Sequence, residues 1–246
     1  MTFLWNRASG FDASWHSARR IVASIVALVL CGSAAMAEVV DVAPGVQVTK
    51  RTYNVPINEQ PFYGFAEKTP EQRAADESFV AALIAAAGTR EKAFEVTTMR
   101  GWKAITDGRA SEAALRFNQA FLLAPEQSGV YHGFAAVAQV RFKDMAFADE
   151  LFKIARKQPN PLKSLNADYG RFLLIANRPG DAKPVLEQAV IDTPDFGDAW
   201  SNLAFARLQT GDRVTACAAA EEAAKRKPTA AVNRDLAILR SKAECK

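Results

Sequence analysis

Side chains that could do chemistry are scarce in this sequence. His16 and His132 are its histidines, and Cys31, Cys217 and Cys245 its cysteines. If residues 1–37 are removed as a leader, His132, Cys217 and Cys245 remain. That set cannot supply a histidine-based catalytic triad, a two-histidine zinc site or a CxxC redox pair. No glycine-rich phosphate loop is present either. Two carboxylate pairs, Asp149-Glu150 and Glu221-Glu222, have the residue types for acid–base work. Such work needs convergence in a cleft, and a solvated helix face accounts for both. The expectation is a chain without catalytic residues, metal or cofactor, against the alternative of an enzyme with a site of unfamiliar form.

Cys31 raises a different chemistry. It follows Arg19-Arg20 and the apolar run Ile21–Leu30, and is followed by Ala35-Met36-Ala37. A charged region, an apolar core and an A-x-A site are the order of a secretory signal, which predicts cleavage between Ala37 and Glu38. The apolar run is too short to span a membrane comfortably. Leu28-Val29-Leu30-Cys31 resembles a bacterial lipoprotein signal, except that Leu30 stands where that class uses Gly, Ala or Ser. Ser17-Ala18-Arg19-Arg20 faintly resembles a twin-arginine signal with the wrong spacing. The expected compartment is the periplasm, with an outer-membrane lipoprotein facing the periplasm as the alternative. Membrane attachment is expected only if Cys31 is lipidated.

The elements that would position any site follow from periodicity. The chain of 246 residues is 49% hydrophobic and 24% charged, enough for a packed core. Its net charge of +4 draws on Arg7, Arg19 and Arg20, too little to indicate a nucleic-acid partner. Prolines recur at Pro125, Pro159, Pro194 and Pro228. Small residues keep the same register at Ala113, Ala148, Ala182 and Ala216, and again at Ala120, Ala155, Ala189 and Ala223.

These ladders resemble the tetratricopeptide-repeat (TPR) family, whose second helix reads A-x3-F…A…P in a unit of about 34 residues. Ala113-x3-Phe117 and Ala148-x3-Phe152 match it, and Ala182-x3-Leu186 and Ala216-x3-Ala220 follow it with smaller plugs. First helices fit less evenly: Trp200-x2-Leu203-Ala204, Tyr169-Gly170, Tyr131 with Phe134-Ala135, and only Gly101 in the first unit. Small residues at Gly101, Ala135, Gly170 and Ala204 let helices approach to about 8–10 Å. Asp107-Gly108, Pro179-Gly180-Asp181 and Gly211-Asp212 are expected to end one helix and cap the next.

The predicted organisation is an all-α solenoid: signal peptide 1–37, extended arm 38–69, N-terminal capping helix 70–89, four repeats over 90–228 and a C-terminal capping helix 229–246. Ala231, Leu236 and Leu239 are expected to face inward on that last helix. The aromatics of the arm, Tyr53, Phe62, Tyr63 and Phe65, either pack along the repeats or bind a partner. A capping helix running back from Pro228 would bring Cys245 to the height of Cys217, allowing a disulfide; the alternative is a buried small residue and a terminal thiol.

The resemblance implies a concave groove, lined by first helices, that binds a protein or peptide. Carried onto this register it places Glu95, Thr98, Trp102, His132, Gln139, Ser164, Arg171, Asp198, Ser201 and Phe205 on that surface. Trp102 and Phe205 would be apolar anchors. Arg171 is the sole cation, so the set lacks the cluster by which some family members clamp a C-terminal carboxylate. The implied function is a non-enzymatic adaptor for envelope assembly or secretion, or, if lipidated, a TPR lipoprotein assisting pilus or secretin assembly. Neither the partner nor the oligomeric state is legible.

Overall fold

The computed structural model describes residues 38–226 and 228–245. The expectations for Cys31 and Ala37 lie outside the described residues; Glu38 is the first residue within them.

Ten α-helices follow a short hairpin among the described residues: α1 (Pro70–Ala87), α2 (Arg90–Thr106), α3 (Ala110–Leu123), α4 (Ser128–Val137), α5 (Met145–Ala155), α6 (Leu165–Ile175), α7 (Pro179–Asp192), α8 (Gly197–Gln209), α9 (Arg213–Ala224) and α10 (Ala230–Ala243). The pairs α2/α3, α4/α5, α6/α7 and α8/α9 are the four repeats. The alanine ladders are fully buried: Ala113, Ala148, Ala182 and Ala216 have no exposure, nor do Ala120, Ala155, Ala189 and Ala223. Between them the plugs Phe117, Phe152 and Leu186 are buried, and Phe117 and Leu186 fill the space left by residues without side chains. A Cβ on Gly101 would stand 2.8 Å from the Phe117 ring, one on Gly133 would overlap that ring, and one on Gly170 would overlap Leu186. In the second repeat it is Gly133, two residues before the expected Ala135, that makes this close approach.

Each first helix ends on a residue in the left-handed region: Gly108 (φ 74°), Lys143 (φ 56°), Asn177 (φ 57°) and Gly211 (φ 87°). Such a residue turns the chain while the next amide bonds back to the helix end. Those amides are Arg109 N–H to Ala104 O (2.8 Å), Arg178 N–H to Leu173 O (2.9 Å) and Asp212 N–H to Arg207 O (2.9 Å). The expectation for Pro179-Gly180-Asp181 is corrected here. Asn177 makes the turn and Pro179 already opens α7, where its missing amide and fixed φ suit the first helical position. In the second repeat the returning bond, Asp144 N–H to Ala138 O (3.0 Å), spans one residue more because α4 widens into a π-helical turn over Ala138–Phe142.

Residues 38–69 are not an extended arm. Val39–Ala43 (β1) and Val46–Thr49 (β2) pair antiparallel. Valines alternate along β2, with Val46 and Val48 buried, and Pro44-Gly45 with Gly45 at φ 73° is the composition of a type II turn. The twist of that turn mismatches a hairpin, and the register slips between Asp41 and Ala43. The segment then winds through Ile57–Glu59 and Pro61–Phe65, where Phe62, Tyr63, Gly64 and Phe65 all have φ of 54–62°. Bulky residues pay for that backbone, and two features hold it. Phe62 is buried among Phe121, Tyr131 and Phe134. Buried Asn118 of α3 donates to Asn58 O (2.9 Å) and Gln60 O (2.7 Å), and its Oδ1 accepts from Tyr63 N–H (3.2 Å).

At the N-terminal end Thr69 and Gln72 form a capping box on α1, and Gly88 (φ 91°) closes it. At the other end α10 buries Leu236 and Leu239 against α8 and α9. Cys217 and Cys245 are joined in a disulfide, with Cα atoms 5.6 Å apart.

Candidate functional site

The first helices do not pack evenly. α2 lies on α4 and α6 on α8, whereas α4 and α6 make little contact. The connection between α5 and α6, residues 156–164 with Pro159 and Pro161, is longer than the others and separates the second and third repeats. A cleft of about 490 Å³ opens there. α2 contributes Trp102, Ile105 and Thr106; α4 and its π-turn contribute His132, Ala136, Gln139 and Val140; α6 contributes Asp168, Arg171 and Ile175. The π-turn matters locally because its extra residue pushes Gln139 and Val140 toward this space, while Arg141 pairs with Glu59 and Phe142 stacks on Tyr53 at 3.8 Å. π-turns of this kind recur at functional sites.

The floor of the cleft is polar and incompletely satisfied. His132 has no exposed surface and lies 4.5 Å from the Trp102 ring and 5.7 Å from Phe152, centroid to centroid. Asp168 Oδ2 stands 3.2 Å from His132 Nε2, yet the geometry falls short of a hydrogen bond, and both ring nitrogens and Trp102 Nε1 have no hydrogen-bond partner in the protein. Each unmet buried group costs about 1–3 kcal/mol. Asp168 is half exposed at the rim and Arg171 is exposed.

No protein-family model matches the sequence, and no curated protein matches it. Solved structures do. Pseudomonas aeruginosa PilF superposes with a TM-score of 0.56 at 22% identity, covering 63% of this chain and 71% of that one. A chain of the APC/C hetero-tetramer Cut9–Hcn1 gives 0.53 at 17% identity over 68% of this chain and 34% of that one. Both are TPR proteins. The chain has the TPR fold.

Within the TPR register, the cleft gathers four of the expected groove residues: Trp102, His132, Gln139 and Arg171. His132 is corrected from a surface residue to a buried one. Thr98 and Ser201 are buried as well, at 8% and 4% exposure, and Thr98 turns its hydroxyl to Phe94 O and Glu95 O. All three lie below the exposed surface, His132 against the lining of the cleft. Glu95 is exposed outside the cleft; Ser164 is the residue preceding α6, Asp198 lies in the first turn of α8, and Phe205 packs half-buried against the core. Asp168 was not foreseen, although it sits one turn before Arg171 and a helical projection places both on one face.

The carboxylate pairs also differ from a plain solvated face. Asp149 accepts from the Tyr169 hydroxyl (2.8 Å) and pairs with Lys153 (2.7 Å) and Arg178 (3.1 Å). Glu150 Oε1 accepts from Thr49 N–H at 2.6 Å, tying the hairpin to α5. Glu222 pairs with Lys225 and Arg226, while Glu221 is exposed. The Tyr169, Arg178 and Thr49 contacts of the first pair join elements, whereas those of Glu222 stay at the end of α9, and among the described residues no two of these carboxylates converge on a cleft.

Proposed function

We propose that this chain is an exported, non-enzymatic adaptor that holds a segment of a partner protein in the cleft between α2, α4 and α6, in the service of an envelope assembly or secretion process. The observation that supports it most is the cleft itself. Val140 and Ile175 stand open at its rim, at 39% and 57% exposure, beside the polar side chains of Gln139 and Arg171. Binding grooves combine apolar anchors with a few polar groups in this way. Export rests on the order of Arg19-Arg20, Ile21–Leu30 and Ala35-Met36-Ala37.

The groove reading is tested by photo-crosslinking in the native envelope. A crosslinking residue at Gln139 or Ile175 captures a protein partner, and one at Val214 or Ile191, both highly exposed on second helices, does not. Capture through Val214 and Ile191 alone defeats the reading. The export reading is tested by the mass of the native N-terminus. Glu38 as first residue supports a soluble periplasmic chain, diacylated Cys31 the lipoprotein alternative, and an intact Met1 neither.

A further inference from the structure

We infer that the cleft selects peptide segments in which a large apolar side chain and a carboxylate lie two positions apart. The inference rests on the groove-binding reading and adds a ligand chemistry to it.

The apolar half is built by Val140 and Ile175 at the rim with Ile105 and Trp102 behind them. Aliphatic surface left in water is unfavourable in proportion to its area, and a side chain entering between Val140 and Ile175 covers it. The charged half is Arg171. It is exposed, it is the only cation lining the cleft, and it has no ion pair or hydrogen bond among the described residues. The other charged side chain there, Asp168, lies 3.2 Å from His132 Nε2 and not against Arg171. A free guanidinium beside an apolar slot is complementary to a carboxylate, which it meets with paired, charge-assisted hydrogen bonds.

Spacing sets the register. Arg171 and Ile175 are one helical turn apart, so their Cβ atoms stand roughly 5–6 Å from one another. On an extended peptide, side chains two positions apart share a face at roughly 7 Å. An apolar residue on the Val140–Ile175 slot thus places the side chain two residues along near Arg171. The carboxylate can come from Asp or Glu or from a chain terminus at that distance.

The test uses the full chain and labelled ten-residue peptides in a Gly/Ser background. One carries Leu-x-Glu, one Leu-x-Gln, one Leu-x-Lys and one Ser-x-Glu, all with amidated ends; a fifth ends in Leu-x-Ser with a free carboxylate. Leu-x-Glu is expected to bind at least about tenfold tighter than Leu-x-Gln or Leu-x-Lys, in line with a charged hydrogen bond. Ser-x-Glu is expected to be weak, and the fifth peptide tells a terminal carboxylate from a side-chain one. Arg171→Glu should invert the Glu/Lys order while its thermal melt stays unchanged, and Val140→Asp with Ile175→Asp should abolish binding of every peptide. Indifference to Glu against Gln, or an order that Arg171→Glu leaves intact, overturns the ligand chemistry. If no peptide binds while Gln139 still crosslinks a partner, this chemistry falls and the groove reading survives; if the crosslink is also lost, both fall.

Discussion

The ring of Phe117 occupies the space where a side chain on Gly133 would stand. Phe117 comes from α3 and Gly133 from α4, and the same ring lies against Gly101 of α2, so one fully buried aromatic joins three helices of two repeats. Gly133→Ala gains about 0.5–1 kcal/mol of helix propensity but forces the ring to move, and overpacking costs about 1–3 kcal/mol. Because the new Cβ would overlap the ring outright, the steric term wins and the chain melts lower. Gly101→Ala, with its Cβ at 2.8 Å, should be milder. A double variant adding Phe117→Leu should recover part of the Gly133→Ala loss. Thermal melts of these three variants, of Phe117→Leu alone and of the unsubstituted chain measure this, and additive losses would contradict it.

The hairpin segment should behave as part of the core. Phe62→Ala removes a buried ring from the Phe121, Tyr131 and Phe134 cluster, a change that costs about 3–5 kcal/mol in packed cores. Asn118→Ala strands the carbonyls of Asn58 and Gln60 and the amide of Tyr63, at about 1–3 kcal/mol for a buried unmet group. Hydrogen exchange should rise over residues 39–65 in Asn118→Ala and leave α7 to α9 unchanged. Uniform protection in that variant would mean that Asn118 does not anchor the segment.

The alanine and proline ladders were legible because a helix crossing tolerates only small residues at fixed intervals, so Ala113, Ala148, Ala182 and Ala216 carry the packing in their identity. The hairpin was legible in principle, since valines alternate around Pro44-Gly45, a turn pair; the prolines and the lack of helical periodicity across 38–69 favour an extended course equally. The turn at Phe62–Phe65 was not, since nothing local favours bulky residues in left-handed backbone; Asn118, more than fifty positions away, makes it tenable. The cleft was half legible. The register carried over from the TPR resemblance put Trp102, Gln139 and Arg171 on one surface, but the burial of His132, Thr98 and Ser201 depends on how far each repeat turns on the next. The extra residue of the π-turn has no signature in the sequence.

Asp149 should make the third repeat's attachment sensitive to acid. Burial works against its charge, while Lys153, the Tyr169 hydroxyl and Arg178 favour it and hold its carboxyl below the ordinary aspartate value of 3.8. A carboxylate with a lowered folded value stabilises the fold above its unfolded value, and that contribution is lost as pH falls through 3.8 toward the folded value. Asp149→Asn lacks it at every pH. The gap between the melting temperatures of the two proteins should therefore be widest near neutrality and narrow as the pH is taken from about 6 to about 3. A gap that stays constant over that window would assign the effect to shape and not to charge.

Reduction should loosen the C-terminal end. The Cys217–Cys245 bond closes a loop with a sequence separation of 28, and restricting an unfolded chain over such a loop contributes roughly 3–4 kcal/mol. The bond also pins α10, which covers the otherwise open side of the last repeat with Leu236 and Leu239, and an uncovered terminal repeat loses the neighbour that its apolar face requires. Protein purified from an oxidising compartment and unfolded without reductant should show no free thiol at either position. After reduction, or in Cys217→Ser with Cys245→Ser, exchange should rise first across α10 and α9 and reach α2 and α3 last, because each repeat touches only its neighbours. Equal loss of protection across all four repeats would mean that the array unfolds as one unit and that the disulfide acts on the whole of it.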